Sequence, residues 1–148
     1  MKVIFVCYAN VARSQVAEEY FRQLTENFYE FTACSAGVGV DELVSQCISN
    51  KVIDSPYHRS IDYIKEELHV DISNKERLQF SIELYNTADL VIMICDKSLW
   101  PEYIEDVNII NKVRHWDIPD TPGLDDSMAW TIWNIVCNEV EKLVKEIA

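Results

Sequence analysis

The sequence predicts an α/β fold, a three-layer sandwich whose central parallel four-stranded sheet is covered by helices on both faces. Three observations carry this reading. Apolar, β-branched runs recur at residues 2–6, 28–35, 88–95 and 107–116. Segments with helical spacing lie between them, the alternation that builds a parallel sheet. The run at 88–95, ADLVIMIC, is apolar almost throughout, as a strand buried on both faces must be.

Taken in order, residues 2–6 form the first strand and Cys7 closes it. A helix follows from Ser14 to Leu24, with Val16, Ala17, Tyr20, Phe21 and Leu24 on one face. The second strand, FYEFTACS, ends at Ala36-Gly37. Residues 38–55 are weakly patterned, with helical character at 43–48. Ser55 and Pro56 fit the cap and first turn of a helix continued by Ile61, Ile64 and Leu68. After the Asp71-Ile72-Ser73 loop, Ser73 and Glu76 form a capping box for a helix over 74–86. Residues 98–103 read as one short helical turn. A long helix over 125–147 points Met128, Ile132, Ile135, Val136, Val140, Leu143 and Val144 inward.

A chain of 148 residues has room for one domain, spanning 1–148, with a substantial core. The net charge of −12 argues against nucleic acid and anionic membrane as partners. It also requires that any anion site be a local positive spot on a negative body. The five cysteines are odd in number and contain no CxxC pair, a pattern that fits reduced thiols in the cytoplasm. The opening MKVIFVC is too short and too soon interrupted to read as a secretory signal.

Chemistry is concentrated where the first strand turns into the first helix. Such a turn presents free backbone N–H groups, backed by the positive end of a helix dipole, to one point. Residues Tyr8, Ala9, Asn10, Val11 and Ala12 form that anion cradle, with Cys7 at its base. A thiol there should be acidified, because the cradle favours the thiolate. Arg13 adds a planar fork suited to two oxygens of a phosphate-like anion, and Ser14 brings a hydroxyl within reach of the sulfur. Asn10 suits the tight loop, since asparagine tolerates left-handed backbone angles. Ligands in parallel sheets bind at the carboxyl ends of strands, and Cys7, Gly37, Cys95 and the 117–122 loop all lie at such ends.

A thiolate that attacks phosphorus leaves the departing oxygen in need of a proton. The segment His115-Trp116-Asp117-Ile118-Pro119-Asp120-Thr121-Pro122 offers two carboxylates, Asp117 and Asp120. Cys7, Asn10, Arg13 and Ser14 resemble the phosphate-binding loop of the low-molecular-weight protein tyrosine phosphatases and the thioredoxin-type arsenate reductases, which share one fold. Ser14 to Glu18, Ser35-Ala36-Gly37, Val70 to Ser73 and Ala88 to Val91 extend the likeness along almost the whole chain. The resemblance implies hydrolysis of phosphomonoesters such as phosphotyrosine through a phosphocysteine on Cys7. Spacing from a His-Trp pair, as in the reductases, places the acid at Asp120, although Thr121 intervenes before Pro122. The resemblance requires no cofactor for that reaction. In some reductases it implies a potassium ion, whose ligand types stand here as Asn10, Glu18, Ser35 and Asp71.

Two departures bear on the choice of activity. The reductases use two further thiols after the third strand. Cys95 stands in the first place, but Trp100 before Pro101 stands in the second. The phosphatases usually carry tyrosines directly after the acid, where this chain has Thr121-Pro122-Gly123. Three readings follow. The first is a cysteine-dependent phosphatase acting on a phosphorylated protein or small phosphomonoester. The second is an arsenate reductase using Cys7, Cys95 and an external thiol reductant. The third is a non-catalytic binder of phospho-ligands or other oxyanions. The intact nucleophile, anion clamp and acid argue against the third, and the missing third thiol favours the first over the second.

Overall fold

The computed structural model describes residues 1–104 and 112–148. Its four strands are β1 (Lys2–Cys7), β2 (Thr32–Gly37), β3 (Leu90–Met93) and β4 (Val113–His115), in the spatial order β2-β1-β3-β4. All three pairings are parallel. The helices are α1 (Arg13–Leu24), α2 (Val40–Val44), α3 (Ser60–Tyr63), α4 (Ile82–Thr87) and α5 (Asp126–Ile147). The α/β sandwich expected from the sequence is the observed fold.

Strand alternation divides the core into two layers. Val3, Phe5 and Cys7 of β1, with Leu90 and Ile92 of β3, face α1 and α5, where Val16, Phe21, Trp133, Val136 and Val140 are buried. Ile4 and Val6, with Val91, Met93 and Cys95, face the other way, against Phe80 and Tyr85. Each large side chain so enclosed contributes about 2 kcal/mol of hydrophobic stabilisation. On the first face, Phe5 and Phe21 meet edge to face at 5.6 Å.

Several elements differ from expectation, each for a tertiary reason. Strand β2 starts at Thr32 rather than at residue 28, because the six residues of β1 offer partners only from Thr32 to Gly37. Residues 74–81 are not helical. Lys75 and Leu78 accept through their carbonyls from the N–H groups of Val52 and Gly37, and Arg77 N–H donates to Asn50 O. Ser73 N–H bonds the Asp71 carboxylate, so Ser73 closes a turn, and Ser81 caps the later helix α4. Residues 56–59 form turns, with the Ser55 hydroxyl accepting from Tyr57 N–H, and α3 begins at Ser60. It runs on into a wide helical turn, Ile64–Leu68, which His69 ends at φ 61°.

Helix character in the 38–55 segment falls at α2, which begins three residues before the expected 43–48 stretch and overlaps it only at Leu43 and Val44, with a 3-10 turn at Val52–Asp54. Two 3-10 turns, Lys97–Leu99 and Glu102–Ile104, replace the single turn over 98–103. Of the strand expected over 107–116, residues 107–111 lie outside the described residues; β4 is the described part. In α5 most of the expected inward face is inward, with Val136, Val140 and Leu143 buried and Ile132 and Val144 packed against the core, and two positions differ. Met128 and Ile135 are exposed, while Ala129 and Trp133 are buried beside Val136, Val140 and Leu143. Among the described residues no helix is long and apolar enough to cross a membrane.

Candidate active site

Cys7 ends β1, only 2% exposed, at the base of the loop formed by residues 8–12. Its Sγ lies 2.9 Å from the Ser14 hydroxyl. Asn10 turns the loop with φ 55° and holds it with its whole side chain. Its Nδ2 donates to Ser14 Oγ at 2.8 Å and to Ser35 Oγ at 3.0 Å, while its Oδ1 accepts from Leu78 N–H at 2.9 Å. From α1, Gln15 Nε2 donates to Asn10 O, and from α3 the Ser60 hydroxyl donates to Val11 O. Gly37 completes the frame by having no side chain. A Cβ there would sit 2.5 Å from Tyr8 O and 2.8 Å from Asn10 N. Loop and strand end therefore interlock.

The N–H groups of residues 8–12 donate to no acceptor among the described residues, and α1 begins without a side-chain cap. These are the donors an oxyanion would use. Arg13 is 5% exposed, and its Nη1 donates to Ile94 O at 3.1 Å and Ile118 O at 2.9 Å. Those two bonds aim the guanidinium, and its Nη2 stands 3.3 Å from Asp120 Oδ2. The Asp120 side chain is 44% exposed, so it reaches solvent as well as the cradle. Arg59 braces the same loop by donating to Thr121 O at 2.8 Å and pairing with Asp126 at 3.1 Å.

A cavity of about 510 Å³ opens over the loop, lined by Cys7, Tyr8, Arg13 and Asp120 among others. Asp117 lies outside it, in a shallower groove that Asp120 and Arg13 also line. Of the two carboxylates, Asp120 is the one that shares the cavity with Cys7 and pairs with the Arg13 guanidinium. The cavity's other walls include Leu43 and Cys47, from the 38–55 segment, and Pro56, Tyr57 and Arg77, to which the sequence pattern gave no role at the site. Tyr57, more than half exposed, gives those walls an aromatic face.

Cys95 is buried on the opposite face of the sheet from Cys7, among Ile4, Val6 and Met93. It lines neither space at the loop. Burial, then the nearby Cys7, pushes its thiol up to about 11. Trp100, in the place of the reductases' third thiol, donates from its indole to Cys95 O.

The ligands expected for potassium are partly assembled but do not fit the ion. Asn10, Ser35 and Glu18 form one buried chain, with Ser35 Oγ donating to Glu18 Oε1 at 2.7 Å. The Glu18 carboxylate is already matched by the Lys75 ammonium at 2.8 Å and by Arg22 Nε at 2.9 Å. Asp71 is exposed, and its carboxyl, held below the usual range by the hydrogen bonds from Ser73, turns to its own loop. An internal ammonium supplies the positive charge that this acidic pocket calls for.

A parallel four-stranded sheet carrying Cys-x5-Arg-Ser at a strand–helix turn defines a cysteine-centred oxyanion site. The chain belongs to the low molecular weight phosphotyrosine protein phosphatase family, whose model matches residues 2–148. An arsenate reductase from Bacillus cereus (strain 03BB102) is 24% identical over 148 residues, covering 99% of this chain and 92% of that protein. The low molecular weight protein tyrosine phosphatase from T. tengcongensis superposes with a TM-score of 0.76 at 23% identity, covering 99% of each chain. An arsenate reductase in its phosphate-binding state gives a TM-score of 0.73 at 24% identity, over 99% of this chain and 98% of the other.

Proposed function

We propose that this chain is a cysteine-dependent phosphatase that hydrolyses phosphomonoesters such as phosphotyrosine through a phosphocysteine on Cys7. The carrying observation is that Cys7, Arg13 and Asp120 share one cavity, with the Arg13 guanidinium already paired to the Asp120 carboxylate. The unpaired N–H groups of the loop and the fork of Arg13 hold the phosphoryl oxygens. The Cys7 thiolate attacks phosphorus, an S–P bond forms and the P–O bond to the leaving group breaks. Asp120 gives that oxygen its proton, then takes one from the water that cleaves the S–P bond and releases inorganic phosphate. The Ser14 hydroxyl, at 2.9 Å, stabilises the sulfur as it departs. The free thiols fit work in a reducing compartment, the cytoplasm.

Likeness to arsenate reductases favours a second reading, in which Cys7 takes arsenate and an external thiol supplies the electrons. The burial of Cys95 behind the sheet speaks against an internal relay. Assays of an aryl phosphate and of arsenate with a panel of thiols, run on wild type and Cys7→Ser, separate the two. Hydrolysis lost in Cys7→Ser supports the phosphatase; sustained arsenate reduction without hydrolysis overturns it.

A further inference from the structure

A second guanidinium lines the cavity over Cys7. Of the five arginines, Arg13, Arg22, Arg59 and Arg114 each pair with a carboxylate. Arg77 does not, among the described residues, although it is only 4% exposed. Its Nε has no hydrogen-bond partner, and its Nη2 meets the Cys47 sulfur at 3.6 Å. A thiol is a weak acceptor, and a guanidinium taken out of water without an anion carries a desolvation cost that nothing returns. In a chain of net charge −12, leaving one buried arginine without a carboxylate reserves it for an anion from outside.

The backbone fixes where that charge stands. Arg77 N–H donates to Asn50 O at 2.7 Å, and the next residue, Leu78, donates to Asn10 Oδ1 in the phosphate loop. Arg77 is thus tied to the same frame that holds Cys7. Leu43, Pro56 and Tyr57 line the cavity along with the two guanidiniums, and their surfaces are apolar or aromatic.

We infer that Arg77 is a second anion subsite, and that the preferred substrates are phosphomonoesters carrying a further negative group, such as a carboxylate, on an apolar or aromatic framework. This rests on the phosphatase reading of Cys7. The second charge comes either from a small molecule or from an acidic side chain beside a phosphorylated residue, and its chemistry is the same in both.

The test compares para-(carboxymethyl)phenyl phosphate with its neutral primary amide, which has a closely similar leaving group. A pair of phosphotyrosine peptides differing by Glu against Gln next to the phosphorylated residue forms the second arm. Wild type should favour the acidic member of at least one pair by about tenfold in kcat/KM, mainly through KM. In Arg77→Met that ratio should fall to near one, and Arg77→Lys should keep part of it. The arm that shows the preference names the source. A ratio near one in wild type, or one that survives in Arg77→Met while both rates fall together, overturns the subsite and leaves the phosphatase reading standing. If no substrate is hydrolysed, the phosphatase reading fails. Calorimetric binding of the same pairs to Cys7→Ser and Cys7→Ser/Arg77→Met then decides the subsite by the same ratio.

Discussion

The Asp120 carboxylate meets the Arg13 guanidinium at 3.3 Å, so the proposed acid and the proposed anion clamp of this site touch. In the proposed mechanism a phosphoryl group takes over Arg13 and frees Asp120 to face the leaving oxygen. Asp120→Asn should therefore lower kcat most for a poor leaving group such as a tyrosine phenolate. The loss should shrink for nitrophenolate, which departs with less protonation. Asp117→Asn, in the outer groove, should show no such dependence. The reverse pattern in the two mutants would move the acid to Asp117.

Arg13→Lys should cost about a hundredfold or more in kcat, because an ammonium cannot span two oxygens and cannot reach Ile94 O, Ile118 O and the substrate together. Steady-state kinetics on an aryl phosphate measures it; near-normal turnover would put Arg13 outside the reaction.

Asn10 holds Ser14, Ser35 and Leu78 while occupying a left-handed conformation. Asn10→Ala removes three hydrogen bonds, to the buried Ser14 and Ser35 hydroxyls and to Leu78 N–H, and strains the backbone, at a cost on the order of 3 kcal/mol. Denaturant unfolding of the variant measures this. Gly37→Ala should be worse for activity than for stability, since its new methyl meets the loop itself at Tyr8 O and Asn10 N.

The loop from Cys7 to Ser14 was legible because all its parts are contiguous, and strand, turn and helix each leave a local pattern. Gly37 was legible through the strand end it closes; the last strand end offered both Asp117 and Asp120, and the choice of Asp120 came from the resemblance. Arg77 and Tyr57 were not legible, because only tertiary pairing brings their segments over the loop. The same pairing overrode the Ser73–Glu76 capping box: Gly37, Asn50 and Val52 supply bonds that hold residues 75–80 extended. In α5 the choice of Met128 and Ile135 over Ala129 and Trp133 shows the limit of hydrophobic spacing. A small residue and an indole, the latter edge to face with Tyr63, fill this part of the core in place of two larger aliphatics.

Cys95 is enclosed, and its thiol is pushed up to about 11, so iodoacetamide at neutral pH should leave it unmodified in the folded protein. As pH rises toward that value its thiolate fraction grows, but burial still bars the reagent. Peptide mapping after alkylation checks this. Phosphate should protect Cys7 and leave Cys95 unaffected. Rapid labelling of Cys95 in native protein would reopen its role as a second thiol.

Lys75 holds the charge that the reductase-like ligand set would give to potassium. Exchanging sodium for potassium at equal ionic strength should leave the melting temperature unchanged. Lys75→Met strips the buried Glu18 of one of its two cations, and should lower the melting temperature or create a response to potassium. A potassium-specific rise in the wild type would contradict this account of Glu18.

The most direct measurement is acid quenching of the enzyme during turnover of an aryl phosphate, followed by mass spectrometry of the peptide that contains Cys7. The account predicts a phosphoryl group on Cys7 that accumulates in Asp120→Asn with an activated leaving group, where attack proceeds but hydrolysis of the intermediate lacks its base. Phosphate release with Cys7 unmodified, and undiminished in Cys7→Ser, would contradict it.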